Sequence, residues 1–217
     1  MRWILALLAI LVTLFPIMPL LYRKIGHISR PWRLVCKVLP TLMCAAFAGV
    51  AFHISGDPYA LLIFIGLCIC SAADVLLGIH FVTGGALFLT GHIFYSLAFF
   101  IQQRPGWISI PVFVIALCLL WLFLSRFRPL IKHNLLYRGV QLYAAMLAFV
   151  LCLTLPMPFR ALYQRTVLAA LGALLFVLSD MGVCHSALCK VSTRRDACYL
   201  GIYYLAQLLL GLSAFGG

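Results

Sequence analysis

YALLIFIGLCICSAADVLLGI, residues 59–79, decides the fold class. One charge, Asp74, interrupts a run long enough to cross a bilayer, for which about 20 apolar residues suffice. Hydrocarbon offers no water to satisfy a backbone, so such a run is helical. Seven further stretches read the same way, at 3–21, 34–54, 84–101, 107–124, 139–155, 166–185 and 197–215. The expectation is an all-α, polytopic transmembrane helix bundle of about eight spans, a single integral membrane domain over 1–217. Pro16 and Pro19 kink or end the first stretch, and Pro58, Pro105, Pro129, Pro156 and Pro158 fall in connections. The opening MRWILALLAILVTLFPIMPLL reads as a span, because its apolar run outlasts a signal peptide's and no small-residue cleavage site follows.

Composition agrees. The chain is 65% hydrophobic and 9% charged, with a mean hydropathy of +1.14, too little polar material to coat a soluble domain. Its net charge of +12 belongs to the membrane edges and not to a nucleic-acid partner, since no basic surface interleaved with aromatics exists. Arg23, Lys24, Arg30, Arg33, Arg126, Arg128, Lys132, Arg138, Lys190, Arg194 and Arg195 fall on one side. Arg2, Arg104, Arg160 and Arg165 fall on the other. The excess of Lys and Arg marks the cytoplasmic side, so both termini are expected to be non-cytoplasmic. The nine Cys lie mostly in apolar runs and read as small hydrophobes, without a disulfide framework.

The chain has four acids and no Glu. Asp57 reads as a turn residue beside Pro58, and Asp196 as a helix cap or the solvated partner of Arg194 and Arg195. Asp74 and Asp180 lie inside spans, where a charge costs about 2.5–3.5 kcal/mol and marks function by default. Both fall about 8 Å below the cytoplasmic edge at 1.5 Å per residue. Lys37 falls at about 5 Å, Tyr204 at about 10 Å, His92 at about 12 Å and Gln207 at about 15 Å. Five helices thus place polar groups in one layer. His92 and Tyr95 share a face, as do Ser71 with Asp74, and Tyr203 or Tyr204 with Gln207. Each of these second-line residues reads equally well as helix glue or as site lining. Lys37 reads as a snorkelling lysine, a phosphate partner or an Asp partner. A weak internal echo, an Asp late in one helix and a Tyr early in the next, links CSAAD/GHIFYSLAF with LSD/IYYLAQLLL.

The pieces VCKVLP (35–40), CSAADVLL (70–77), GHIFYSLAF (91–99), GALLFVLSD (172–180) and YYLAQLL (203–209) resemble the lysoplasmalogenase, or YhhN-like, family of integral membrane proteins. They occur in family order and cover five of the eight stretches. Ala73 stands where the family usually has Gly, and Val183 where it often has Leu; neither change removes a reactive group. The resemblance implies hydrolysis of the vinyl-ether bond of a lysoplasmalogen. The products are a fatty aldehyde and glycerophosphocholine or glycerophosphoethanolamine. A lysophospholipid substrate and membrane lipid are the implied partners, and no cofactor is implied.

That reaction needs a carboxylic acid to protonate an alkene carbon and a second group to steady the oxocarbenium ion and deprotonate water. Two carboxyls in a low-dielectric site suit it, because mutual repulsion favours one of them keeping a proton. The expected catalytic pair is Asp74 and Asp180, with either as the acid. Lys37, His92, Tyr95, Ser179, Tyr203, Tyr204 and Gln207 are the expected substrate-binding residues.

Two other chemistries compete. A zinc hydrolase usually wants His ligands, but only His92 is well inside a span, and Cys184, His185, Cys189 and Cys198 follow no recognised ligand spacing. A proton-coupled transporter would also use intramembrane acids, but it more often breaks its helices with Gly or Pro near the midplane. The short loops favour a bacterial inner membrane over the endoplasmic reticulum.

Overall fold

The computed structural model describes residues 30–189 and 192–216. The stretch 3–21, with Pro16 and Pro19, and the cations Arg2, Arg23, Lys24 and Lys190 lie outside the described residues. The helices are α1 (Arg30–Ser55), α2 (Pro58–Leu77), α3 (Phe81–Gln102), α4 (Ser109–Ser125), α5 (Asn134–Thr154), the single turn α6 (Met157–Arg160), α7 (Gln164–Leu188) and α8 (Thr193–Ser213). A 3-10 turn at Arg128–Leu130 precedes α5, and no strand occurs among the described residues. The all-α expectation holds.

The described residues do not account for all of the expected eight spans. Five described segments are long and apolar enough to cross a bilayer: Lys37–Ser55, Pro58–Leu77, Phe81–Gln102, Asn134–Arg160 and Gln164–Leu188. With 17 residues, α4 is short for a crossing, and α8 opens on Arg194, Arg195 and Asp196. Helix starts also differ. Hydropathy finds only where polar residues stop, so the stretch that begins at 139 belongs to a helix that begins at Asn134.

Packing follows from small residues, since hydrocarbon supplies no hydrophobic drive between helices. α2 and α3 form one tight hairpin and α7 and α8 another, while α1 bridges α2 and α8. α4 packs on α5, which reaches α3 and α7. The α2–α3 hairpin closes over Gly78, Ile79 and His80, with His80 Nδ1 accepting from the Thr83 backbone N–H. Its helices approach so closely that a Cβ on Gly84 would lie 2.5 Å from the Leu77 backbone nitrogen. The outward surface is apolar, as a lipid solvent requires: on α4, Ile110, Leu119 and Leu122 are all exposed.

At the end of the bundle far from Asp74, a polar tie joins four helices. Arg165 is 6% exposed, although its position reads in sequence as an edge cation. It pairs with Asp57 Oδ2 at 2.6 Å, donates to Gln102 Oε1 at 2.8 Å and to the Ala214 carbonyl at 3.5 Å, and lies over the Tyr59 ring. Asp57 therefore does more than turn the chain. It accepts from the Tyr59 backbone N–H as the N-cap of α2, with Pro58 in the first turn, and it holds Arg165.

Adjacent glycines test the close approach. Gly84→Ala is expected to destabilise the bundle by about 1–3 kcal/mol through overpacking. Gly85, whose Cβ would meet nothing within 4 Å, is expected to tolerate Ala and to gain up to about 1 kcal/mol of helix propensity. Thermal unfolding of both variants in detergent checks this, and equal midpoints would refute it.

Candidate active site

Lys37 and Thr41 are one turn apart on α1, so both point to α2 and α8. Pro40 lies between them inside the helix, where it removes a backbone donor and loosens the ladder. One turn back, the Lys37 carbonyl accepts a hydrogen bond from Tyr204 OH at 3.0 Å. Tyr204 thus pins the turn that carries the lysine.

Asp74, 1% exposed, is matched on both oxygens. Lys37 Nζ lies 3.1 Å from Oδ1. Tyr203 OH donates to Oδ2 at 2.7 Å, and Thr41 Oγ1 donates to the same oxygen at 3.2 Å. Asp180, partly buried on α7, is served differently. Tyr143 OH on α5 donates to its Oδ2 at 2.6 Å, and among the described residues no Lys or Arg is within ion-pair distance of it.

Both acids line one cavity of about 500 Å³, together with Lys37, Tyr143, Ser179 and Tyr203. Ser179 is fully buried, and its Oγ has no hydrogen-bond partner. The rest of the wall is mostly apolar, its other polar residues being Asp196, Tyr199 and Ser186 at the cation-rich end of the bundle.

Of the nine residues expected from sequence, five line the cavity: Asp74, Asp180, Lys37, Ser179 and Tyr203. The other four form a buried layer beneath it. Tyr95 OH donates to Gln207 Oε1 at 3.0 Å and approaches Cys70 Sγ at 3.5 Å. Gln207 Nε2 lacks a hydrogen-bond partner. His92 donates from Nδ1 to the Phe88 carbonyl at 2.8 Å, an assignment set by the acceptor. Its ring packs edge-on against Phe176 and Tyr143, with centroids 4.6 Å and 5.6 Å away. These four pack behind the cavity wall; Tyr204 and His92 each bond the backbone of a lining residue, Lys37 and Phe88. Ser71, expected to share the Asp74 face, donates to the Leu67 carbonyl.

Sequence reasoning missed Thr41 and Tyr143. The signals were present: Thr41 follows Lys37 by four residues, and Tyr143 lies about 6 Å inside its span, between the depths of Lys37 and the acids. Among the described residues no three His, Cys, Asp or Glu side chains come together as metal ligands. His185, from the candidate zinc cluster, lies 3.2 Å from Tyr199 OH.

The profile of the YhhN family matches residues 32–214. The chain belongs to the YhhN family. Lysoplasmalogenase TMEM86A of Homo sapiens is 29% identical over 184 residues, spanning 76% of this chain and 70% of that protein. Its counterpart in Bos taurus is 30% identical over 184 residues with the same coverage. No solved structure matches. The YhhN segment contains every site residue named above, from Lys37 to Gln207. Family and helices together make this a multi-pass membrane protein whose relatives act on lipid.

The ion pair generates a stability prediction. Lys37→Met leaves the Asp74 charge buried and unmatched, at a cost of about 3 kcal/mol. Adding Asp74→Asn removes that charge, and the double variant is expected to recover most of the loss. Unfolding midpoints of the two proteins decide it; a single variant as stable as wild type would refute the pairing.

Proposed function

We propose that this YhhN-family chain is a lysoplasmalogenase. It hydrolyses the vinyl-ether bond of an alkenyl-glycerophosphocholine or alkenyl-glycerophosphoethanolamine to a fatty aldehyde and the glycerophosphodiester. The observation that carries the reading is two differently matched carboxyls in one mostly apolar cavity. The lysoplasmalogenase relatives supply the reaction class.

The hydrogen bonds support a division of labour that the sequence leaves open. Asp74, paired with Lys37 and fed by two hydroxyls, is the fixed anion. Asp180, with one hydroxyl donor and no cation, is the group that carries the mobile proton. Its carboxylic acid gives that proton to the alkene carbon distal to the ether oxygen, and the π electrons form the new C–H bond. The adjacent carbon becomes an oxocarbenium ion, which the Asp74 carboxylate faces across the cavity and stabilises. Water adds to that carbon and yields its proton to Asp180, giving a hemiacetal and restoring the acid. Collapse moves the hemiacetal proton to the glycerol oxygen through the same carboxyl, breaks the C–O bond and frees aldehyde. One water is consumed, and every proton is returned. The logic is that of glycoside hydrolysis, where a carboxyl alternates between acid and base.

The arrangement belongs, in this reading, to one membrane domain with its cavity toward the cytoplasmic leaflet, where a lysolipid's vinyl ether lies just below the headgroup. The proton-coupled transporter reading has no observation in its favour beyond the buried acids themselves.

Asp180→Asn is expected to lower aldehyde release from a lysoplasmalogen by about 100-fold or more, the usual weight of a general acid. Asp74→Asn is expected to lose a comparable factor with the fold retained. Quantifying aldehyde from purified protein in nanodiscs tests both. Full activity in the Asp180 variant would overturn the acid assignment, and no aldehyde from wild type on any alkenyl lysolipid would overturn the function.

A further inference from the structure

α3 and α5 both start at the cation-rich end and run in the same direction. They meet where the His92 and Tyr143 rings lie 5.6 Å apart. Nearer the cation-rich end they part. Every buried residue of α5 is at Ala144 or later, and the turns before it have none. Leu142 is 63% exposed there, and Val82, on the facing part of α3, is 55% exposed. Yet Val82, Ala86 and Leu89 on α3, and Gly139 and Leu142 on α5, line the cavity that holds Asp74 and Asp180. Residues can be both outward-facing and cavity-lining only if the cavity opens through that side. The opening spans Phe81 to Leu89, about 12 Å along the helix, within a segment apolar enough to cross a membrane.

We infer that the seam between α3 and α5 is a lateral portal that takes one hydrocarbon chain of a lysolipid directly from the bilayer. The portal rests on the proposed function for the identity of the head, though not for the chain. Its inner end meets polar groups a lipid backbone can use: the Lys37 ammonium and the fully buried, unpartnered Ser179 hydroxyl. The cavity reaches Asp196 and Tyr199 at the start of α8, where Arg194 and Arg195 are exposed cations of the sign a phosphodiester needs. Between those ends the seam is apolar and offers no donor for water. Its width comes from two glycines, Gly85 and Gly139, which line the cavity and at which a Cβ would meet nothing within 4 Å.

The same glycines make the test clean, because a large side chain at either blocks the seam without an initial clash. Gly85→Phe and Gly139→Phe would be compared with wild type and with Gly201→Phe, which also has open space but does not line the cavity. Substrates are alkenyl lysophosphatidylcholines with octenyl and hexadecenyl chains. The portal predicts that the two lining variants raise KM for the hexadecenyl substrate about tenfold while the octenyl KM and Gly201→Phe stay near wild type, since each buried methylene is worth about fourfold. Equal change on both chains, or on neither, overturns it. A second arm needs no hydrolysis. The non-hydrolysable hexadecyl ether lysophosphatidylcholine should raise the melting temperature of wild type and of Gly201→Phe, but not of Gly139→Phe; an equal rise in all three overturns the portal. Wild type that binds this ether but releases no aldehyde would leave the portal standing and remove the proposed reaction. A dimer that Gly139→Phe dissociates would assign the seam to a second copy and overturn it.

Discussion

Asp74 lies three residues from the end of α2, with the Lys37 ammonium 3.1 Å away. An isolated charge at this depth in hydrocarbon is expensive, and a matched pair is tolerable only when its remaining lone pairs are also satisfied. Tyr203 and Thr41 meet that condition on the second oxygen. The pair therefore ties α1, α2 and α8 together at the cation-rich end. Its geometry in turn depends on Tyr204, which grips the helix one turn before Pro40 and keeps the lysine aimed inward.

With Asp74 committed, the proposed proton transfer falls to the less crowded acid. Asp180 has one tyrosine donor and a cavity in front of it. The two acids belong to two similar hairpins, α2–α3 and α7–α8, but neither takes its tyrosine from its own hairpin. Tyr203, on the α7–α8 hairpin, serves Asp74, while Asp180 is served by Tyr143 from α5. Tyr95, the counterpart of Tyr203 in the internal echo, donates to Gln207 and to neither acid. Whatever likeness the hairpins have, the site they form is asymmetric, and two carboxyls in one cavity can play different parts only in an asymmetric site.

At the opposite end the Asp57–Arg165 pair, with Gln102 and the Tyr59 ring, fastens α2, α3, α7 and α8. The aromatic layer of His92, Phe176 and Tyr95 fills the middle. A bundle held at both ends and packed in the middle can leave one seam unpacked, and α5 uses that freedom: its first half stands off the bundle while its second half is core.

Much of this was legible in the chain alone. Helical architecture follows from apolar runs, because a backbone in lipid has one economical way to satisfy itself. Asp74 and Asp180 stood out because charges inside such runs are rare and costly, and depth counted along a straight helix placed them in one layer with Lys37. Depth is one coordinate, however, and rotation about each helix is another that apolar helices do not encode, since lipid and core look alike to hydropathy. For that reason His92, Tyr95 and Gln207 were grouped with the acids and turned out to pack behind the cavity wall, while Tyr143 at a similar depth went unnoticed until the fold aimed it at Asp180. Composition and periodicity determined that the protein is a membrane helix bundle with buried carboxyls. Helix rotation, set by glycine contacts and ion pairs far apart in sequence, alone decided which carboxyl is matched by a cation and which is not.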